Sequence, residues 1–522
     1  MLDAIIVGAG FGGLSAALRL AEGGAKVALV EALNYPGGCA STFTRQGFRF
    51  EAGATLFSGF GPGQLFAQLI ERHKLSVETR ALDPILELRT PSLRLAVPAD
   101  RQGLIDRFCA LPGAPAPAIR SFFDQQRKVA DALWTLLDDP ALLPPLGAAA
   151  LLRHVGRAPR YLPLLSILGR PLSKVLRRHG LQDCEPLRTY CDAVCQITVQ
   201  SDANRAEAPL ALSALDYLFR GTRHVEGGIG ALAWSLVEGL RKLGGEVKFT
   251  ERAISARRED GCFSVTTRRR ELKAKHLILN LLPRAAGALL GLRLRGGEGA
   301  VESGDDAKGR EDDTGRGAGL VASAVSPASA RLEALNARVE QGWGAAMLYL
   351  ALPNDAPLPE SAGHLELVAD PSRPFHSGNH VFCSYSGASE RERGPGAART
   401  VTVSTHVDLP ALLAKPPPER ASAIAQIQAT MEATIQALAP ELCQRRLLTL
   451  TASPRTFERF TRRPSGFVGG IPRHAGFDSY RDLFGGQPIP GVQLVGDSVF
   501  PGQSTLAVAI GGIKAAEKVL KG

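Results

Sequence analysis

Four apolar residues, Ala4-Ile5-Ile6-Val7, run into the turn Gly8-Ala9-Gly10-Phe11-Gly12-Gly13, and Leu14 to Glu22 then repeats at helical spacing until Gly23-Gly24. A short uninterrupted apolar run predicts a buried strand, and the periodic segment after the turn predicts a helix. A second apolar run, Val27-Ala28-Leu29-Val30, stops at Glu31 and completes a βαβ unit. Farther on, Ala231 to Leu243 reads as a helix that turns at Gly244-Gly245 into the strand Glu246 to Phe249. A hairpin through Asp260-Gly261 leads to the apolar strand His276 to Asn280, a second α/β piece returning to the first sheet.

Residues 64 to 221 read mostly as helices with short strands. From Trp343 onward the strand patterns Ala345–Leu352, His364–Val368, His380–Ser384 and Thr400–His406 alternate with turn residues and predict an antiparallel sheet. Arg420 to Leu438 is a long amphipathic helix ended by Pro440. The chain closes with the strand Val492 to Val495, the turn Gly496-Asp497-Ser498 to Gly502, and a helix from Ser504 to Lys521. The whole is an α/β pattern: a discontinuous Rossmann-type unit with an antiparallel-sheet and helical partner.

The first turn carries specific chemistry. Gly8, Gly10 and Gly13 allow a sharp turn, close approach of backbone N–H groups to a pyrophosphate, and close helix–strand packing. The helix start carries roughly half a positive charge, which favours a diphosphate. Glu31, at the end of the second strand, suits the hydroxyls of an adenosine ribose.

Charge and composition narrow the partners. The 522 residues are 45% hydrophobic and carry a formal net charge of +10, with mean hydropathy near zero and pI ≈ 9.3. A basic chain suggests an anionic surface, yet no nucleic-acid module is present, so no nucleic-acid partner is expected. The eight cysteines are scattered. Cys191 and Cys195 share a helical face but lack metal-site spacing, so packing is their expected role.

From Pro140 to Gln182 there is no acidic residue, while Arg153, Arg157, Arg160, Arg170, Lys174, Arg177 and Arg178 alternate with leucine-rich runs. Prolines and glycines interrupt it, so it reads either as an element lying on an anionic bilayer or as a buried hairpin with a solvated basic face. No apolar run is long enough for a transmembrane helix and no cleavable leader is recognisable. The expected location is the cytoplasmic side, peripheral to the membrane. Residues 293–319, rich in Gly and mixed charge, read as a disordered surface insertion. His376 and His380, in a Ser-Gly-Asn context with no third ligand, read as surface histidines.

Several blocks together resemble the flavoprotein family of carotenoid desaturases and carotenoid cis–trans isomerases, within the amine-oxidase-like superfamily. They are Tyr35-Pro36-Gly37-Gly38-Cys39, Gly47-Phe48-Arg49-Phe50-Glu51-Ala52-Gly53-Ala54, Glu226-Gly227-Gly228-Ile229-Gly230, Ser453 to Thr461 with Gly466 to Pro472, and Gly496 to Gly502. The resemblance implies FAD as cofactor, contacted by Gly8, Ala9, Gly10, Gly12, Gly13 and Glu31. It further implies Gly37 and Gly38 along the cofactor, Gly53 and Ala54 near the flavin ring, Ala253 at the adenine, and Gly496, Asp497 and Gly502 at the ribityl–diphosphate side and helix start. Glu51 stands where many members carry Asp, and Gln503-Ser504-Thr505-Leu506 replaces glycines common in desaturases.

The implied organisation is FAD-binding segments at 1–75, 222–292 and 485–522. A helical, membrane-associating substrate region spans 76–221, the insertion 293–319, and a substrate sheet and helix 320–484. The implied activity is desaturation of a lipophilic polyene by hydride transfer to flavin N5, with quinone or oxygen as electron acceptor. A redox-neutral isomerase using reduced FAD is the alternative. An amine or porphyrinogen oxidase and a non-catalytic lipid carrier of the same fold are further alternatives. No catalytic acid or base and no metal ligand can be named from the residues.

Overall fold

The computed structural model describes residues 1–144, 146–292, 294, 327–481 and 489–521; apart from Leu294, the segment 293–319 lies outside them. The apolar runs at the N-terminus form strand β1 (Leu2–Val7), helix α1 (Phe11–Glu22) and strand β2 (Val27–Val30). β1 occupies the middle of a seven-stranded sheet. On one side it pairs in parallel with β2, which pairs with Glu246–Lys248; on the other it pairs in parallel with Glu271–Leu279. The second half of that strand also pairs in parallel with Val492–Leu494, while its first half carries the antiparallel hairpin Ala253–Glu259 and Cys262–Thr267. Leaving β1, the chain thus goes first to one neighbour and later to the other, and a crevice opens at the carboxyl ends of the strands.

α1 begins at Phe11, so Gly12 and Gly13 lie inside its first turn, whereas propensity alone reads them as loop. Close packing wins: a Cβ at Gly13 would stand 2.1 Å from the Gly8 carbonyl oxygen, and one at Gly512 would stand 2.1 Å from the Gly12 carbonyl oxygen. Helix Thr505–Lys521 therefore crosses α1 at backbone distance, and both pack with helix Ile229–Lys242 on one face of the sheet.

A second seven-stranded sheet runs in the order Leu448–Ala452, Trp343–Leu352, Arg399–Asp408, His380–Tyr385, Gly363–Val368, Leu86–Arg89, Arg94–Val97. All its pairings are antiparallel except that of Leu86–Arg89 with Gly363–Val368. Helix Pro417–Leu438 contributes Met431, Ile435 and Leu438 to a core on this sheet. Helices Arg101–Cys109, Ala116–Leu137, Leu172–Arg178, Glu185–Thr198 and Ala208–Asp216 build a separate apolar core, in which Cys191 and Cys195 are fully buried.

The surface reading of the histidines is corrected. His380 opens an interior strand of the second sheet, is 1% exposed and bonds to the Glu366 carboxylate. His376 is partly buried beside the Trp343 ring. The turn residues Ser377 and Gly378 mark the loop correctly, but the Glu366 carboxylate and the Phe375 ring cover the His380 ring.

Candidate functional site

Three strand ends meet at the crevice. Gly8 N donates to Val30 O at 2.9 Å, Asn280 N to Val7 O at 2.9 Å and Val495 N to Leu279 O at 2.9 Å, so the ladders extend to the residues where the chain turns. Around this point the glycines leave almost no room. A Cβ at Gly10 would lie 2.5 Å from Asn280 Nδ2, one at Gly12 3.3 Å from Gly496 N, and one at Gly496 3.0 Å from Asn280 Oδ1. Gly37 N donates to Ala9 O at 2.8 Å, and a Cβ at Gly38 would meet Gly10 Cα at 3.8 Å. The structure thus brings Gly8, Ala9, Gly10, Gly12, Gly13, Gly37, Gly38 and Gly496 together around the amino end of α1. Asn280 at their centre was not singled out from the sequence, although a polar residue ending an apolar parallel strand is the available signal.

Glu31 accepts from Ala9 N at 2.7 Å and Leu33 N at 2.8 Å, and burial raises the pKa of its carboxyl against those two bonds. Thr250 N donates to Leu33 O and Glu251 N to Glu31 O, at 2.9 and 2.8 Å, which carries the start of strand Ala253–Glu259 towards the same carboxylate. Asp497 accepts from Arg463 Nη2 at 2.7 Å. Gly502 is placed differently: the nearest neighbour of its would-be Cβ is the Arg473 guanidinium, at 2.2 Å.

The segment after strand Phe48–Glu51 crosses from this cradle to the second sheet. Ala54 N donates to Cys39 O at 3.2 Å, Tyr349 Oη to Ala52 O at 2.8 Å, and Ser384 Oγ to Thr55 Oγ1 at 2.6 Å. Ala54 is exposed while Thr55 beside it is buried, and a Cβ at Gly53 would stand 3.1 Å from Cys39 O and 3.5 Å from the Phe457 ring.

Beside Thr55 lies a cavity of about 20 Å³, enough for a single water, lined by Glu51, His224, His364, Ser384, Arg393 and Thr402 among others. Burial, reinforced by the charge of His224, holds the His364 imidazole neutral with a pKa of about 3. Its Nδ1 meets Ser384 Oγ at 2.6 Å. His224 Nε2 bonds to Glu390 Oε2 at 2.8 Å. Arg393, 2% exposed in its side chain, joins Glu390 to Glu51 at 2.7 Å on each side. Burial raises the pKa of Glu390, but the His224 hydrogen bond and the Arg393 charge outweigh it and bring the value down to about 2.

The arrangement fits a dinucleotide. Its glycines present backbone where a side chain would intrude, and Ser15 Oγ, Ser498 Oγ and Gln503 Oε1 are buried with no hydrogen-bond partner among the described residues. Such orphaned groups need a ligand or water.

A family model described as flavin containing amine oxidoreductase matches residues 11–291, more than half of the chain. The prolycopene isomerase of Daucus carota is 24% identical over 536 residues, covering 99% of this chain and 80% of that protein. The neurosporene-forming phytoene desaturase of Cereibacter sphaeroides is 35% identical over 89 residues, covering 17% of each chain. Among solved structures, an oxidoreductase from Methanosarcina mazei superposes with a TM-score of 0.61 at 17% identity, covering 99% of this chain and 100% of the other.

Proposed function

The chain belongs to the flavin containing amine oxidoreductase family, with FAD as cofactor, and from that premise we propose that it isomerises a lipophilic polyene of the carotenoid class without net oxidation. When bound, flavin supplies reversible electron and hydride exchange. The protein's share is to hold the polyene beside the Gly53-Ala54 segment and exclude bulk water there. The carrying observation is coverage: the likeness to a prolycopene isomerase extends over 99% of the chain, whereas that to a phytoene desaturase extends over 17%. Desaturation, with quinone or oxygen as electron acceptor, is the second reading and is supported by the higher identity, 35%, within that short segment. An amine substrate is disfavoured because Glu51 at the cavity is already paired with Arg393, leaving no carboxylate of that pair for an ammonium group.

The test compares two incubations of the purified holoenzyme. With reduced FAD under nitrogen, a poly-cis carotene should shift to its all-trans spectrum over many turnovers with no net consumption of reductant. With oxidised FAD, a less desaturated precursor such as phytoene should remain unchanged. A lengthened chromophore in the second incubation establishes desaturation instead, and inert carotenes with rapid amine oxidation remove the polyene reading.

The same reading places the protein on a membrane, where such substrates dissolve. Helix Ala148–Leu165 carries no acidic residue and includes Arg153, Arg157 and Arg160. It leaves Leu152 73%, Val155 73%, Leu162 62% and Leu165 68% exposed, at a spacing that lines up one face. Among the described residues no helix is long and apolar enough to cross a membrane. We propose that this face lies in the headgroup region of an anionic bilayer. Burying one such side chain contributes about 2 kcal/mol, so the Leu152→Glu/Val155→Glu double variant should lose roughly 100-fold or more in partitioning to phosphatidylglycerol vesicles. Equal sedimentation of variant and wild type would exclude this face.

A further inference from the structure

We propose that Arg463 is the cation that meets the diphosphate of the bound dinucleotide, and that Asp497 serves to hold Arg463 in place. The proposal rests on the FAD reading. Two carboxylates, Glu31 and Asp497, border the crevice that must receive a dianionic diphosphate, and α1 brings only the partial charge of its amino end. Anions of like sign in a partly desolvated site repel unless a fixed cation stands between them.

Arg463 is so placed. Helix Pro454–Thr461 ends at Arg462, whose positive φ of 56° turns the chain inward. Arg463 follows with its side chain 17% exposed against 18% for Asp497, and Nη2 donates to Asp497 Oδ2 at 2.7 Å. Its Nε donates to Phe467 O, closing a local loop that fixes the guanidinium plane. Nη1 has no partner among the described residues and is the donor left for a ligand.

The location is independently defined. Asp497 follows Gly496, which abuts Gly12 at the start of α1, and a Cβ at Gly470, in the same loop as Arg463, would lie 2.0 Å from Asp497 O. The Cys39 thiol, one residue from Gly38, feels the charges of both Arg463 and Asp497. Arg463 therefore stands where the turns at Gly10, Gly38 and Gly496 converge. A guanidinium presents its N–H donors to phosphate oxygens in one fixed plane, whereas an ammonium is a compact point charge with rotating donors. Asp497, by accepting one edge of that plane, orients the other and offsets its charge.

The test is FAD affinity of the apoprotein, read by quenching of flavin fluorescence. Arg463→Gln should weaken FAD binding about 30-fold, the scale of a charged hydrogen bond, and should flatten the dependence of log K on log salt. Arg463→Lys, which keeps the charge without the planar fork, should fall between the two. Adenosine, which lacks a diphosphate, should compete with FAD equally well in wild type and Arg463→Gln once each is scaled to its own FAD affinity. FAD affinity of Arg463→Gln within threefold of wild type with an unchanged salt slope overturns the proposal. If Arg463→Gln does not fold, wild-type affinity and salt slope in Arg463→Lys overturn it. A wild-type apoprotein that takes up no FAD would refute the cofactor reading itself, a result distinct from either.

Discussion

Purified Gly13→Ala protein is expected to carry no flavin and to melt below the wild type. Alanine is the better helix former, and in an unconstrained helix the change would gain about 1 kcal/mol. At Gly13 the added methyl would stand 2.1 Å from the Gly8 carbonyl oxygen, a backbone atom that cannot rotate away, and 3.3 Å from the Asn280 side chain. Gly8 is held by its bond to Val30 O, so relief requires α1 to lift off β1. Ordinary overpacking costs roughly 1–3 kcal/mol, and a contact with main chain lies at or above the upper end. Lifting α1 also moves Gly10, Gly12 and the helix end away from Asn280 and Gly496, so the surfaces that meet the dinucleotide no longer coincide. Loss of bound cofactor then subtracts its own contribution to stability.

The control is Gly156→Ala, within helix Ala148–Leu165, where an added Cβ meets nothing within 4 Å. It should be neutral or slightly stabilising and keep full flavin content. Absorbance of the purified proteins near 450 nm and their melting curves are the measurements. Stoichiometric flavin in Gly13→Ala at the wild-type melting temperature would show that the turn is not the rigid contact described.

What the sequence made legible was local. The apolar runs at Ala4–Val7 and Val27–Val30, the glycine turn and the Gly-Asp turn after Leu494 are each written within a few consecutive residues, and the strands fall where the periodicity places them. The α/β class followed from their order. Less legible were features decided by partners far along the chain. Arg393 meets Glu51 across 342 positions and Gly227 meets Glu390 across 163, so neither pairing leaves a local signature. His380, first in its strand pattern, reads as a surface histidine because the Ser-Gly-Asn turn beside it is local, while the neighbouring strand and the Glu366 carboxylate that bury it lie outside that turn. The leucine-rich stretch around Ala148–Leu165 signalled apolarity but not which side chains lack a covering neighbour. Arg463 carried no cue at all, since its meaning depends on Asp497, 34 positions away.

Those distant pairings also set the second large effect, the loss expected on removing Arg393. Its guanidinium joins Glu51, at the end of strand Phe48–Glu51, directly to Glu390, whose carboxylate also accepts from Gly227 N at 2.9 Å and Gly387 N at 2.7 Å. Glu51 in turn accepts from Ile229 N at 3.2 Å, at the start of helix Ile229–Lys242. The chain of charges thus fastens the Gly227–Gly230 turn, the strand leading to Gly53-Ala54 and the second sheet to one another. Arg393→Met removes the cation and leaves two carboxylates close together in a buried site, a change that typically costs about 3–5 kcal/mol.

The pH dependence gives the sign. Glu390 has a pKa of about 2 in the folded protein against an ordinary 4.5, so its ion pairing contributes fully above about pH 4.5 and is lost as pH falls through that interval. In Arg393→Met the main counter-charge is gone, the folded-state pKa of Glu390 rises, and acid unfolding should begin at higher pH than in the wild type. Adding Glu390→Gln to Arg393→Met should recover part of the stability and bring the acid limb back down, because one of the two stranded charges is removed. Denaturant melts at pH 7 and acid titrations followed by tryptophan fluorescence measure both effects. A loss under about 1 kcal/mol in Arg393→Met, with the acid limb unmoved, would mean that apolar packing of the two sheets alone positions the segment at Gly53-Ala54.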